Sequence, residues 1–312
     1  MHILDLAMLD RTSTPKPVLA LGNFDGVHLG HQAIFRHTVA QAQDIAGTSM
    51  VFTFDPHPLQ VLAPEKAPPL LTTFAQKMRL IASHGVQMAL RVPFTEAFAR
   101  QQPIDFIRDI LCQTIGIHAL VVGYDFRFGH QRTGDTTLLH EQATQLGYAI
   151  TVIPAITQEE VVVSSSNIRR LILEGHVESA SRLLGRDYTI EGPVIEGFRR
   201  GATLGFPTAN VQPINAVIPR TGVYAVGVTV DHHPHLGVAN IGYNPTFNNP
   251  TRTVEVHIFD FAADLYGTTI EVSFVQRIRD ERKFDSIDQL VAQIACDARQ
   301  ARAIHARRVS ST

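Results

Sequence analysis

Residues 18–44 read VLALGNFDGVHLGHQAIFRHTVAQAQD, and the succession of textures in them decides the fold of the first half of the chain. Val18 to Leu21 is a short apolar run that reads as a buried strand. Gly22 to His31 is a glycine-rich turn, and Gln32 to Asp44 has helical spacing without proline. A strand, a glycine turn and a helix in that order aim backbone N–H groups and a helix N-terminus at an anion, usually phosphate. His28 and His31, with Gly30 between them, set two imidazoles near the mouth of the turn. Such donors tighten as charge builds in a transition state. The same letters also fit a loop whose histidines only cap or fill space, since short glycine motifs recur without function.

The alternation continues outward. Met50–Phe54, Met88–Val92, Ala119–Val122 and Ala149–Ile153 are further short apolar runs. Gln32–Ile45, Thr73–His84, Pro103–Ile115 and Thr136–Leu146 lie between them with helical composition, the last with Asp135 placed as an N-cap. Alternating strands and helices predict a parallel sheet wrapped by helices, with ligands outside the carboxyl ends of the strands. Ser164 to Leu184 reads as one helix after a serine-rich turn, ending at Gly185.

Beyond Arg186 the texture changes. Tyr188–Ile195, Gly222–Val230, Leu236–Ile241, Thr253–Phe259 and Thr269–Ile278 are β-rich and separated by Gly, Pro and Asn turns, which suits a sandwich or small barrel. Ser286 to Ala303 is a closing helix, with Ile287, Leu290, Val291, Ile294 and Ala298 on one stripe. The expected domains are therefore 1–186 and 187–312.

Composition excludes several classes. The chain has 312 residues, 45% hydrophobic and 18% charged, so cores are expected rather than disorder. Its 27 basic and 29 acidic residues lack the basic excess of a duplex-binding protein. Cys112 and Cys296 are too few and too far apart for a disulfide framework or zinc motif, and are expected as buried apolar fillers in a reducing compartment. Neither a signal-type N-terminus nor a membrane-length apolar run is seen, so a cytoplasmic protein without nucleic-acid or membrane partners is expected.

Further polar clusters fall where an open α/β sheet binds ligands. Phe54-Asp55-Pro56-His57-Pro58 ends the second apolar run, its prolines fixing a corner that can hold His57 at the sheet edge. Gly123-Tyr124-Asp125-Phe126-Arg127-Phe128-Gly129 follows the fourth. Ser164-Ser165-Ser166-Asn167-Ile168-Arg169 joins hydroxyls, a helix start and an arginine, a group suited to the β- and γ-phosphates of ATP. Each fragment alone also reads as an ordinary turn or cap.

Together these four pieces resemble the nucleotidylyltransferase domain of the bacterial bifunctional riboflavin kinase/FMN adenylyltransferases, the FAD synthetases. The family's usual Ser-Ser-Thr is here Ser164-Ser165-Ser166, which keeps the hydroxyl. The resemblance implies that His28 and His31 contact ATP phosphates and that Arg169 neutralises departing pyrophosphate. It implies a nucleotide and flavin site drawn from Gly22, Asn23, Phe24, Asp25, Gly26, His57, Asp125, Ser164 and Ser165. An FMN phosphate oxygen would attack the α-phosphorus of ATP in line, with Mg²⁺ or another divalent cation assisting.

In the second half, residues 197–210 read GFRRGATLGFPTAN. By itself this is a hairpin with a capped turn, or a tight loop in which Thr208 and Asn210 offer neutral oxygens of a kind Mg²⁺ accepts. It resembles the riboflavin kinase signature, which implies metal binding by Thr208 and Asn210 and nucleotide contacts at Gly197, Arg200 and Gly201. One departure is Ala202, where the family often has arginine. In Val254-Glu255-Val256-His257-Ile258, Glu255 and His257 share a strand face. By resemblance Glu255 is the general base on the ribityl 5′-hydroxyl, and Arg279 and Glu281 lie near the flavin ring.

The overall expectation is an α/β chain with an N-terminal Rossmann-like nucleotidylyltransferase domain and a C-terminal antiparallel β-barrel kinase domain with a terminal helix. Riboflavin, FMN, FAD and ATP are the expected small-molecule partners, with weak self-association left open. Two rivals remain at this point: a chain with one working site, the kinase being the more suspect because of Ala202, and a flavin- or nucleotide-binding regulator without turnover. Asp231-His232-His233-Pro234-His235 is read as a solvated hairpin turn, not a metal site.

Overall fold

The computed structural model describes residues 1–197, 204–244 and 251–309. The expectations at Arg200, Gly201 and Ala202 lie outside the described residues. By its contacts the chain divides into two compact units, residues 1–164 and 165–312.

In the first unit, six strands form a parallel sheet: β1 (His2–Asp5), β2 (Val18–Leu21), β3 (Ser49–Phe54), β4 (Met88–Val92), β5 (Ala119–Gly123) and β6 (Ala149–Ile153). Their order is β1-β4-β3-β2-β5-β6. The helical segments are α1 (Leu29–Asp44), α2 (Pro58–Leu62), α3 (Phe74–Ser83), α4 (Glu96–Ala99), α5 (Pro103–Asp105) running on into a π-helical Phe106–Ile115, and α6 (Thr136–Leu146). A small ribbon of β7 (Thr157–Gln158) and β8 (Val161–Val162) follows. β1 has no counterpart in the sequence reading; it is a half-exposed strand at the sheet edge, with little apolar pattern to reveal it.

Both faces of this sheet are covered, as a parallel sheet requires. Leu19 and Leu21 of β2 point into one apolar cluster with Met50, Phe52, Leu90, Phe106 and Leu111. Val18 and Ala20 point the other way, onto Ile34 and Phe35 of α1 and Met78 and Ile81 of α3. From β2 the chain winds toward β3 and β4, then returns to place β5 on the other side of β2. That reversal is the topological switch point, where the ends of neighbouring strands open a crevice for ligand.

The second unit begins with α7 (Ser165–Glu174) and α8 (Val177–Leu184). These are two helices where the sequence pattern suggests one. Gly175 takes φ +88°, and the N–H of His176 bonds back to the Leu171 carbonyl, closing α7 before α8 starts. α8 ends at Gly185, as expected, and packs on β9 and β14.

β9 (Tyr188–Ile195), β10 (Ala209–Val211), β11 (Gly222–Val230), β12 (His233–Asn244), β13 (Thr251–Ile258) and β14 (Thr269–Arg279) close an antiparallel barrel in the order β10-β13-β12-β11-β14-β9. Tyr224 and Phe274 meet edge to face inside it. Asp231 and His232 form the tight β11–β12 turn, both with positive φ. Among the described residues no group of His, Cys, Asp and Glu could hold a metal by itself. α9 (Ile287–Val309) lies on the barrel's outer face, seating Ala301 and Ile304 against Val223, Ala225 and Val238. Cys112 is half-buried, but Cys296 is exposed, so it is not the buried filler expected. It sits on α9 outside the stripe of Asp297, Ala301, Ile304 and His305 that faces the barrel.

Candidate functional site

β2 ends at Leu21, and the Gly22 N–H still bonds to the Phe52 carbonyl of β3. The chain then turns sharply. Phe24 and Val27 both take positive φ, +54° and +44°, a strained backbone for a buried aromatic and a buried β-branched residue. Packing holds it there: Phe24 stands edge-on to Phe35 and to the His31 ring. The Asp25 carboxylate accepts from the Leu71 N–H at 2.9 Å and the Thr72 N–H at 3.2 Å. The Phe24 and Asp25 side chains thus build the turn, while Asn23 is exposed at its mouth.

α1 begins at Leu29, three residues earlier than its pattern indicates, because His28 is its N-cap. His28 Nδ1 accepts from the His31 N–H at 3.3 Å. Neutral His28 therefore carries its proton on Nε2, a donor at the positive end of the helix. The His28 and His31 rings stack with centroids 3.5 Å apart and planes at 18°.

His57 caps α2 in a reciprocal box: Nδ1 accepts from Leu59 N–H at 3.2 Å and Gln60 Oε1 accepts from His57 N–H at 3.1 Å. Its Nε2 lies 3.4 Å from the Asn23 side-chain nitrogen. The structure thereby joins Gly22–His31 to the Asp55–Pro58 corner. Asp125 is exposed on the loop after β5, across the switch point from that turn. Beside it Arg127 pairs with Asp135 at 3.0 Å, and Asp135 caps α6 through the Leu138 N–H. Ser164 closes the first unit; Ser165 opens α7 and Arg169 lies within it, in the second.

A second polar site runs along the barrel wall. β10 pairs Asn210 with Glu255 of β13, and β12 pairs Asn240 with the same Glu255. Directly paired residues of an antiparallel sheet share a face, so Asn210, Glu255 and Asn240 form one row. The row continues to Val223, which packs toward α9, and so lies on the outer face of the barrel. Asn210 lies against Gly197: a Cβ there would overlap the Asn210 side-chain amide and push it aside. Glu281 folds back onto Gly242, within 2.6 Å of where a Cβ would stand, with Asn240 Nδ2 3.3 Å from the same point.

His257, two residues along from Glu255, donates from Nδ1 to the Pro207 carbonyl at 2.8 Å, and its ring meets Phe206 edge-on. It anchors the segment that carries Thr208. A hydroxyl, an amide oxygen and a nearby carboxylate form a hard-oxygen donor set that fits Mg²⁺ when phosphate oxygens and water complete its shell. Arg279 is directed elsewhere. Its Nε and Nη2 grip Asp297 of α9 and its Nη1 bonds to the Asp280 carbonyl. Sequence reasoning did not single out Asn240 or Asp297, because β12 pairing and helix docking carry no local signal. For His257 the face shared with Glu255 was legible but its Pro207 partner was not.

The FAD synthetase family model matches residues 10–167, and the riboflavin kinase family model matches residues 184–305. The bifunctional riboflavin kinase/FMN adenylyltransferase of Escherichia coli strain K12 is 41% identical over 286 residues, 91% of each chain. The protein of that description from Listeria monocytogenes serovar 1/2a is 40% identical over 298 residues, 93% of each. A crystal structure from Streptococcus pneumoniae, described as a macrolide-efflux protein, superposes with a TM-score of 0.85 and 31% identity. It covers 95% of this chain and 97% of that one. Among the described residues no helix is long and apolar enough to cross a membrane. Two family matches in tandem follow the division into a parallel-sheet unit and a barrel unit, and with relatives of this identity over nine-tenths of the chain they show that it belongs to the bifunctional riboflavin kinase/FMN adenylyltransferase family.

Proposed function

We propose that the two activities of this family are carried here by two separate residue sets. At the barrel, the riboflavin 5′-hydroxyl attacks the γ-phosphorus of ATP, giving FMN and ADP. At the Gly22–His31 turn, an FMN phosphate oxygen attacks the α-phosphorus of a second ATP, giving FAD and pyrophosphate. The observation that supports the first assignment most is the row Asn210–Glu255–Asn240, which sets a carboxylate between two amides on an accessible barrel face.

Glu255 takes the hydroxyl proton as the oxygen attacks, which requires hydrogen-bond reach more than a shifted pKa. Thr208 and Asn210 would hold a divalent cation, which when bound supplies charge neutralisation for the transferring phosphoryl group. Glu281, folded against Gly242 beside Asn240, is assigned to the flavin side of this site; Arg279 contributes through the segment it braces. For adenylyl transfer no protein nucleophile is needed. His28 and His31 donate to the ATP phosphates from the N-terminus of α1, and Asn23 and His57 define the neighbouring edge. The backbone of Gly22 to Gly26 lines the phosphates, with Asp125 and Ser164 of the same unit completing the site. The functional division falls at Arg186–Asp187, in a cytoplasmic enzyme that acts on small molecules and not on nucleic acid or membrane.

The test is direct. Purified chain with riboflavin, ATP and Mg²⁺ should accumulate FMN and then FAD. Glu255→Gln should abolish FMN formation while FMN added from outside is still converted to FAD. Loss of both activities in the folded variant would defeat the assignment of separate sites.

A further inference from the structure

Beneath the Gly22–His31 turn lies a buried ammonium that the sequence pattern does not distinguish from any helix lysine. Lys77 of α3 is 8% exposed. Its Nζ donates to the Asn23 carbonyl at 3.2 Å, to Thr53 Oγ1 at 3.1 Å and to the Phe54 carbonyl at 3.4 Å. Thr53 Oγ1 donates in turn to the same Asn23 carbonyl at 3.2 Å. An ammonium has three donors, and here all three are directed at oxygens of the two segments that border the adenylyl site. Burial pulls Lys77 down to about 8, with Asp25 and then Asp55 opposing that pull. A buried charge is costly, and Met or Leu would fill the same space in α3 without that cost.

The geometry shows what the charge achieves. In a trans peptide the C=O and the following N–H point in opposite directions. With the Asn23 carbonyl drawn down onto Lys77, the Phe24 N–H faces away from the core. Gln32 does the same one step further on: its Nε2 donates to the Val27 carbonyl at 3.0 Å, turning the His28 N–H outward. A flipped Asn23–Phe24 peptide would instead present a carbonyl oxygen to the phosphates.

We propose that Lys77 is a positioning residue for adenylyl transfer, locking the Asn23–Phe24 peptide with its N–H toward the ATP phosphates and fixing that peptide against the Phe54–Asp55 corner. This rests on the assignment of adenylyl transfer to the Gly22–His31 turn. Lys77 does not touch substrate. Its effect therefore falls on groups that bind phosphate, not on flavin recognition.

The full chain carrying Lys77→Met should phosphorylate riboflavin at the wild-type rate, which reports an intact second unit. In FMN-to-FAD conversion its KM for ATP should rise on the order of tenfold, with inhibition by added pyrophosphate weakened by a similar factor and KM for FMN unchanged. A general loosening of the fold would not separate ATP and pyrophosphate from FMN in this way. Thr53→Val, which removes the second donor to the Asn23 carbonyl, should shift the same two constants in the same direction by less. If Lys77→Met loses the thermal transition of the first unit, Thr53→Val decides. Unchanged ATP and pyrophosphate constants in the folded variants would overturn the proposal. Wild-type chain that makes FMN but no FAD would instead overturn the reading of the turn on which it rests.

Discussion

Arg279 and Asp297 form a closed ion pair between the last barrel strand and the terminal helix, with Nη2 2.7 Å from Oδ2 and Nε 3.0 Å from each oxygen. Asp297 is only 3% exposed, and Gln293 donates to it as well at 2.7 Å. The pair fixes where β14 ends and where the segment bearing Glu281 begins.

Removing one partner strands a charge against a buried helix face. Asp297→Ala should cost about 3–5 kcal/mol of barrel stability, measured by urea unfolding of the full chain. The double change Arg279→Met with Asp297→Leu should recover most of that loss. Equal losses in the single and double variants would show that the pair is not the source.

His257 bonds to the Pro207 carbonyl and so holds the segment that carries Thr208, which the proposed kinase site uses. His257→Ala should therefore lower FMN formation on the order of tenfold by releasing the Thr208 segment. His257→Asn, which keeps a short donor, should retain more. FAD formation from supplied FMN should be unaffected by either, and steady-state assays of the two half-reactions check both points.

The stacked His28 and His31 rings make their contributions interdependent. Either alanine substitution should reduce FAD formation on the order of 10²-fold. The double variant should lose less than the product of the two, because each ring holds the other in place. Additive losses would mean that the stack is incidental.

His305 provides a pH signature for the barrel. It is buried on α9, and desolvation holds its pKa below the ordinary histidine value despite bonds to backbone at Gly237 and Val226. Its Nε2 has no hydrogen-bond partner among the described residues. A depressed base binds protons more readily when unfolded, so its contribution to stability is intact above about pH 6.5 and falls as pH drops through the folded value. His305→Met should flatten the acid side of the barrel's thermal-stability profile, read by melting between about pH 5 and pH 7.5. An unchanged slope would assign the acid sensitivity to other groups.

Much of this architecture is legible in the chain. Val18–Leu21, the glycine turn and the following helix announce a parallel layered unit, since apolar period and turn chemistry are local properties. The β-rich texture beyond Arg186 announces a sheet structure of another kind, and the resemblance resolves it as a barrel. Edge strand β1 and the short β10 escape the pattern: each is too brief or too exposed to carry a period. The break at Gly175 escapes too, because the apolar stripe runs across it without interruption.

The sequence by itself determined which groups are present: two glycine-rich motifs, a strand glutamate, and a threonine and an asparagine whose oxygens are hard donors. Only the tertiary structure decided who stands beside whom. Glu255 lies between Asn210 and Asn240 because barrel register sets β13 between its sequence neighbour β12 on one side and the more distant β10 on the other. Lys77 meets the Asn23 carbonyl across 54 positions because α3 packs on the face of the sheet where β2 and β3 end. Asp297 finds Arg279 because one stripe of α9 docks on the barrel wall. Local periodicity encodes elements and faces, but pairings between distant segments follow from which faces are buried together, and that is settled only when the chain folds.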